Sequence, residues 1–242
     1  MLARAAGRSG ELVLRRRGAD LEVIADGVFL MSSANAASSR ALVDAGVAVV
    51  AGAPAGAASG QAHGHGRARG RRPGLRVLVA GLGLGYALDA ALVESRVAHV
   101  TVVEYEPQVV AWFRTWGEER ARRLAAAEAV GRARVLVSDA LEVLRAAATG
   151  GEGRFDLIAL DTDNGPGWLV REANAGLYDA AGVALAHAAL RHGGAAVFWS
   201  PEPHPCFAAR LAAVFARVEE VAADDRVGGR THRCTMYLAR RG

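Results

Sequence analysis

From Leu75 onward the chain repeats one unit: a short run of apolar, often β-branched residues, a turn, then a stretch whose apolar side chains recur with helical spacing. The runs read LRVLVA at 75–80, AHVTVVE at 98–104, ARVLVS at 133–138, FDLIALD at 155–161 and AAVFWS at 195–200. They are close to continuously apolar rather than alternating, the pattern of a strand covered on both faces. Strands that alternate with helices pair side by side and in parallel, so the expected fold is α/β, a doubly wound, mostly parallel sheet. Ligands of such a sheet bind beyond the carboxyl ends of its strands. VEEVA at 218–222 and CTMYLA at 234–239 are joined by a short connection with Asp-Asp and Gly-Gly, which predicts an antiparallel hairpin closing the sheet.

The residues before this unit are organised differently. ELVLRRRGADLEVIADGVFLM at 11–31 holds two apolar runs parted by Arg-Arg-Gly-Ala-Asp, with Gly27 interrupting the second, and predicts a small N-terminal β-hairpin. SRALVDAGVAVVA at 39–51 reads as a helix opened by a serine cap, although Val-Ala-Val-Val suits a strand equally. From Gly52 to Gly74 the chain is, apart from Gln61, Gly, Ala, Pro, Ser, His and Arg, too poor in bulky apolar side chains to offset the entropy of ordering it, and is expected to be a flexible insertion. The expected division is therefore a hairpin region and helix over 1–51, the insertion over 52–74, and the α/β domain over 75–242, which carries the candidate ligand site.

Composition narrows the class. With 52% apolar and 22% charged residues, the chain has the balance of a globular protein. No run approaches the roughly 18–20 uninterrupted apolar residues of a membrane helix, and the N-terminus lacks the apolar core of a leader peptide, so a cytoplasmic protein is expected. Only Cys206 and Cys234 could pair, which suits a reducing compartment. The formal charge is +4 and every fixed side-chain cation is an arginine. Arg67, Arg69, Arg71 and Arg72 are clustered, but without interleaved aromatic residues a solvated segment outweighs nucleic-acid binding. His204 with Cys206 and His232 with Cys234 are metal-type pairs, but they lie far apart with Pro205 inside one of them, and no metal is expected.

The chemistry gathers where the strands end. Gly81-Leu82-Gly83-Leu84-Gly85 follows the first strand and leads into a helix, a loop whose glycines let backbone approach a nucleotide at a helix N-terminus. Tyr86 stands where a dinucleotide fingerprint needs a small residue. Glu104 ends the second strand, where a carboxylate accepts from ribose hydroxyls. It is expected to face the ligand rather than the core, so that its removal would hardly change stability. Glu106 is expected to cap the helix that Pro107 starts. Ser138-Asp139 ends the third strand, with Asp139 either accepting from the adenine amine or capping the next helix. Asp161 ends the fourth, and with Asp163 forms a pair of acids suited to take a proton from an amine. The other reading of Asp163-Asn164-Gly165-Pro166 is a turn. Trp168, Tyr178 and Trp199 are candidates to line an acceptor pocket, with core packing favoured for Trp199.

Together, GLGLG, VEYEP, SDALEVL, FDLIALDTDNGPG and LRHGG resemble the nucleotide-binding domain of Rossmann-like S-adenosylmethionine-dependent methyltransferases. GELVLRRR with GVFLM, and Asp161-Thr162-Asp163-Asn164-Gly165-Pro166, resemble more narrowly the spermidine synthase family. The resemblance implies S-adenosylmethionine or decarboxylated S-adenosylmethionine as the donor and a small amine, such as a polyamine, as the acceptor. It implies Gly81, Gly83, Gly85, Glu104, Ser138 and Asp139 at the donor and Asp161 with Asp163 at the acceptor; a homodimer is left open. The sequence departs from the family at Leu84, where an aspartate would meet the amine of the decarboxylated donor, and at Asn164, where the second loop aspartate would stand. The family's N-terminal Tyr-Gln and Tyr-His elements have no evident counterpart. Aminopropyl transfer, methyl transfer and a non-catalytic nucleotide-binding protein are the three readings these residues leave.

Overall fold

The computed structural model describes residues 1–52, 74–150, 153–162, 165–167, 169–227 and 230–242. Almost the whole of the 52–74 segment, and Asp163, Asn164 and Trp168 of the candidate site, lie outside the described residues.

The N-terminal region is more than one hairpin. Strands β1 (Ala3–Gly7), β2 (Gly10–Arg17), β3 (Asp20–Ala25) and β4 (Val28–Ser32) form a four-stranded antiparallel sheet in sequence order. Gly27, expected to interrupt a strand, instead makes a turn: Asp26 and Gly27 have φ of +47° and +77°, the double left-handed geometry that lets a two-residue loop follow the strand twist. The Asp26 carboxylate accepts from the Glu11 amide at 2.6 Å and ties this turn to the start of β2. A short 3-10 turn, in which the Ser32 hydroxyl accepts from the Ala34 amide, leads into α1 (Ala36–Val50), so the ambiguous Val-Ala-Val-Val run is helical.

The second sheet has seven strands: β5 (Leu75–Ala80), β6 (Val97–Glu104), β7 (Ala133–Val137), β8 (Phe155–Leu160), β9 (Leu190–Ser200), β10 (Arg217–Val227) and β11 (Arg230–Arg240). Its order is β10-β11-β9-β8-β5-β6-β7. The five strands from β9 to β7 run in parallel, and the β10–β11 hairpin closes the sheet antiparallel against β9. Helices α2 (Tyr86–Val93), α3 (Pro107–Trp116), α4 (Glu118–Ala129), α5 (Ala140–Ala148), α6 (Ala175–Tyr178), α7 (Ala180–Ala189) and α8 (Pro205–Ala212) connect them.

Neighbouring residues of each strand feed two cores, as a period of two demands. Leu157 and Val197 join Leu42, Val47, Leu88 and Leu124 on one face, while Ile158 and Phe198 join Leu144, Val183, Phe207 and Tyr237 on the other. Each such side chain, fully withdrawn from water, contributes roughly 1.5–3 kcal/mol. Gly46 lets α1 lie close on the first face, since a Cβ there would stand 2.4 Å from the Leu157 side chain. That seating carries the first turn of α1, with Ser38 and Ser39, to the end of the sheet where the chemistry gathers. Among the described residues no helix is long and apolar enough to cross a membrane.

Candidate active site

The chain order reverses between β5 and β8, the switch point at which an open α/β sheet leaves a crevice. The two strand ends are drawn together there. The Asp161 amide donates to the Ala80 carbonyl at 2.9 Å, and Gly81 sits at φ +94° with its Cα so near the Asp161 carbonyl that a Cβ would stand 2.2 Å from it. Only glycine fits, and the loop after β5 is thereby set beside the carboxylate after β8.

A first cavity opens on the β5–β6–β7 side, between Gly81, Gly83, Glu104, Ser138 and Asp161, with Met31 and Ser9 of the N-terminal sheet as its far wall. Glu104 lines it but does not hang free. Its carboxylate accepts from the amides of Leu82 at 3.0 Å, Gly83 at 3.4 Å and Glu106 at 2.9 Å, and only 8% of the residue is exposed. Burial raises its pKa against the opposing pull of these three amides. The expectation that Glu104 strands no buried partner is therefore corrected: it organises the glycine loop even without a ligand, and deleting it would orphan buried donors.

Two other acids serve the walls. Glu106 makes no side-chain cap to α3. It accepts from the Arg8 and Ser9 amides at 2.7 and 2.8 Å, and so clasps the β1–β2 turn to the loop after β6. Asp139 caps α5, accepting from the Leu141 amide at 2.8 Å, and its other oxygen takes Arg171 at 2.9 Å. The Arg171 guanidinium lies 3.6 Å from the centroid of the Tyr105 ring. Ser138 lines the cavity and hydrogen-bonds Glu142.

A second cavity lies on the other side of Asp161, under the β10–β11 hairpin and the first turn of α1. Asp161, Asp225, Ser38, Ser39, Trp199 and Cys234 line it, and Gly83, Leu84, Gly85 and Tyr86 form the edge shared with the glycine loop. Asp161 is half-buried and lines both cavities. Withdrawal from solvent, with a smaller push from Asp225, raises its pKa from 3.8 to about 6 against a hydrogen bond from Ser39. Nothing in the sequence reading singled out Asp225. It stands in Asp-Asp, taken there for a connection, whereas β10 runs through it and its carboxylate meets the Ser38 amide at 2.9 Å across the chain.

The aromatic candidates separate. Trp199 packs against the core, as expected, and also lines the second cavity. Tyr178 is buried against Phe207, and its hydroxyl donates to the Thr162 carbonyl at 2.6 Å, which steadies the loop after Asp161. His204 caps α8 through Phe207, Cys206 is exposed and Cys234 is buried. Among the described residues no group of three or more His, Cys, Asp or Glu is arranged to hold a metal.

Comparison with solved structures agrees with this architecture. The chain has the fold of the spermidine synthases. It superposes over its whole length on 72% of a spermidine synthase solved with the transition-state analogue AdoDATO, with a TM-score of 0.70 at 13% identity. The spermidine synthase of Thermotoga maritima gives 0.68, likewise over the whole chain and 72% of that protein, at 13% identity. Human methyltransferase-like protein 13 in complex with SAH gives 0.55 at 18% identity, over 86% of this chain and 82% of that one. No protein-family model matches the chain, and no curated protein matches it in sequence.

Proposed function

We propose that the protein is a spermidine-synthase-like transferase that uses an S-adenosyl-type donor to alkylate an amine, by aminopropyl transfer from decarboxylated S-adenosylmethionine. The observation that carries this reading is the position of Asp161, a carboxylate of raised pKa shared by two cavities at the switch point of the sheet. The first cavity suits the donor's nucleoside. Glu104, already fixed by three amides, would accept from the ribose hydroxyls without rearranging, Ser138 stands at the base end, and Gly81 and Gly83 bring backbone to the tail. The donor supplies an electrophilic carbon on a sulfonium. Asp161 then has two tasks toward an amine in the second cavity: to orient its nitrogen in line with that carbon and to accept the proton it loses as the new C–N bond replaces the C–S bond. A carboxylate that titrates at about 6 is still largely ionised at neutral pH yet basic enough to help. Asp163, which lies outside the described residues, is the proposed second acid of this site. The reading includes a cytoplasmic enzyme of polyamine biosynthesis.

One observation favours a second reading. Leu84 lines the second cavity where the resemblance would put an aspartate against the decarboxylated donor's amine, so methyl transfer from S-adenosylmethionine is the alternative. Calorimetric titration with S-adenosylmethionine, its decarboxylated form and methylthioadenosine separates the two, with tighter binding of the decarboxylated donor expected. Failure to bind any of the three would contradict both. Binding without turnover against a panel of amines would leave a nucleotide-binding protein that is not a catalyst.

A further inference from the structure

We propose that Glu106 is a positioning residue of the donor site, a carboxylate that latches the tip of the β1–β2 hairpin to the end of β6 and so holds in place the wall that completes the cavity around a nucleoside. The inference rests on the reading of the first cavity as the donor site and assigns that site a residue that acts through the N-terminal sheet.

Three observations carry it. First, the cavity belongs to two sheets. Gly81, Glu104 and Ser138 stand at strand ends of the parallel sheet, whereas Leu12, Leu30 and Met31 come from the N-terminal one. The N-terminal sheet meets α3 through a small apolar cluster, Leu12 and Ala25 against Val109. Second, Glu106 grips main chain. One of its oxygens accepts from the Arg8 amide at 2.7 Å and the other from the Ser9 amide at 2.8 Å, and the residue is 6% exposed. These are the two tip residues between the paired Gly7 and Gly10, a place where amides ordinarily face water and the backbone frays. Successive amides aimed at one carboxylate form an anion-binding concavity. Gly7 is fitted to it, since a Cβ there would stand 2.7 Å from Glu106 Oε2. The Arg8 guanidinium adds a hydrogen bond to the Tyr105 carbonyl at 3.1 Å. Third, the latch is joined to the acid proposed for the ribose. The Glu106 amide donates to Glu104 at 2.9 Å, so Glu104, Glu106 and the hairpin tip form one chain of hydrogen bonds, and Ser9 at its far end lines the cavity. A ligand that needs this wall binds only latched molecules, so its affinity falls with the latched fraction, and by linkage the bound ligand tightens the latch.

A brace that merely adds stability is the competing explanation, and it differs in what it moves. A brace lowers the melting temperature and leaves ligand affinity alone; a latch changes both. The test is calorimetric titration of methylthioadenosine into the wild type, Glu106→Gln and Gly7→Ala, with hydrogen exchange at the Arg8 and Ser9 amides followed with and without the ligand. Glutamine loses the charge and one of the two acceptors, whereas Gly7→Ala keeps the carboxylate but pushes it off the tip. Each variant is expected to bind methylthioadenosine about tenfold more weakly, and the double variant about as weakly as either single one, because both remove the same contact. In the wild type the ligand is expected to slow exchange at the two amides about tenfold or more. Affinity within about twofold of wild type in either variant overturns the proposal. So does a wild type in which the bound ligand leaves exchange at Arg8 and Ser9 unchanged, a comparison that stands even if neither variant folds. If the wild type does not bind methylthioadenosine at all, the donor reading fails and the latch with it, whereas binding that the variants retain removes the latch alone.

Discussion

The two cavities that meet at Asp161 differ in how their charges are settled. On the β5–β6–β7 side the acids are already engaged by the protein: Glu104 holds three amides, Glu106 holds two, and Asp139 is shared between a helix N-terminus and Arg171. On the hairpin side Asp161 and Asp225 line one space with a single serine contact each, while Arg233 on the same cavity pairs instead with Asp224. The first arrangement is preorganised and close to neutral in its demands, suited to hydroxyls and a ring. The second puts two carboxylates on one space, which under the proposed function suits a ligand that arrives charged. The same element type, an acid at the end of a strand, thus serves as scaffold in one place and, in the proposed function, as reagent in the other.

That contrast predicts unequal consequences. The largest belongs to Asp161: Asp161→Asn should cut turnover by about 10²–10⁴-fold, the range for loss of a positioned base, while methylthioadenosine affinity stays within about twofold. Loss of nucleoside binding in that variant would mean that the cavities do not divide the work as described. Next is Glu104. Glu104→Ala should weaken adenosyl-ligand binding about ten- to hundredfold and also lower the melting temperature, because amides it leaves unpaired cost about 1–3 kcal/mol each where no water replaces the acceptor. An unchanged melting temperature would show that its three hydrogen bonds do not hold the empty site.

A smaller effect sharpens the other side of the comparison. Asp161 titrates in the folded chain at about 6 rather than 3.8, so raising the pH between these values ionises the unfolded chain first and removes stability. Asp161→Asn should therefore be more stable than wild type at pH 7, with the advantage fading below about pH 4. Thermal unfolding of both proteins across that range checks it, and a variant less stable at pH 7 would contradict it. Turnover by the wild type should fall as the pH drops through about 6, where Asp161 takes up its proton. The smallest effect is expected at the 52–74 segment: replacing residues 53–73 with a short Gly-Ser linker should leave adenosyl-ligand affinity within a few fold, since closing a loop costs only about 0.6 kcal/mol per doubling of its length.

Most of this fold was legible because the buried strands are nearly unbroken apolar runs; LRVLVA marked β5 to its observed ends. What escaped was decided by contacts distant in sequence. Ala3–Gly7 carries no β-branched residue and becomes a strand by pairing with β2. Asp26-Gly27 was a turn signal read as a flaw in a strand, because local pattern alone did not show that a fourth strand follows. Both strands of the closing hairpin are longer than their apolar cores, so Asp225 was hidden in what looked like a connection. At the site, spacing gave the strand-end acids their places but not their partners. Glu104 was found by its distance from the glycine loop, whereas the amides that surround it follow from how that loop folds back.

The division of the two cavities at Asp161 is the central claim, and backbone amide shifts report on it directly. Titrating methylthioadenosine and then 1,4-diaminobutane into the isotopically labelled protein should move two separate sets of amides. Gly81, Gly83, Tyr105 and Ser138 should respond to the first ligand, Ser38, Trp199, Asp225 and Cys234 to the second, and Asp161 to both. If the two ligands perturb one common set, or methylthioadenosine leaves the loop after β5 unmoved, the account of donor and acceptor on opposite sides of Asp161 is wrong.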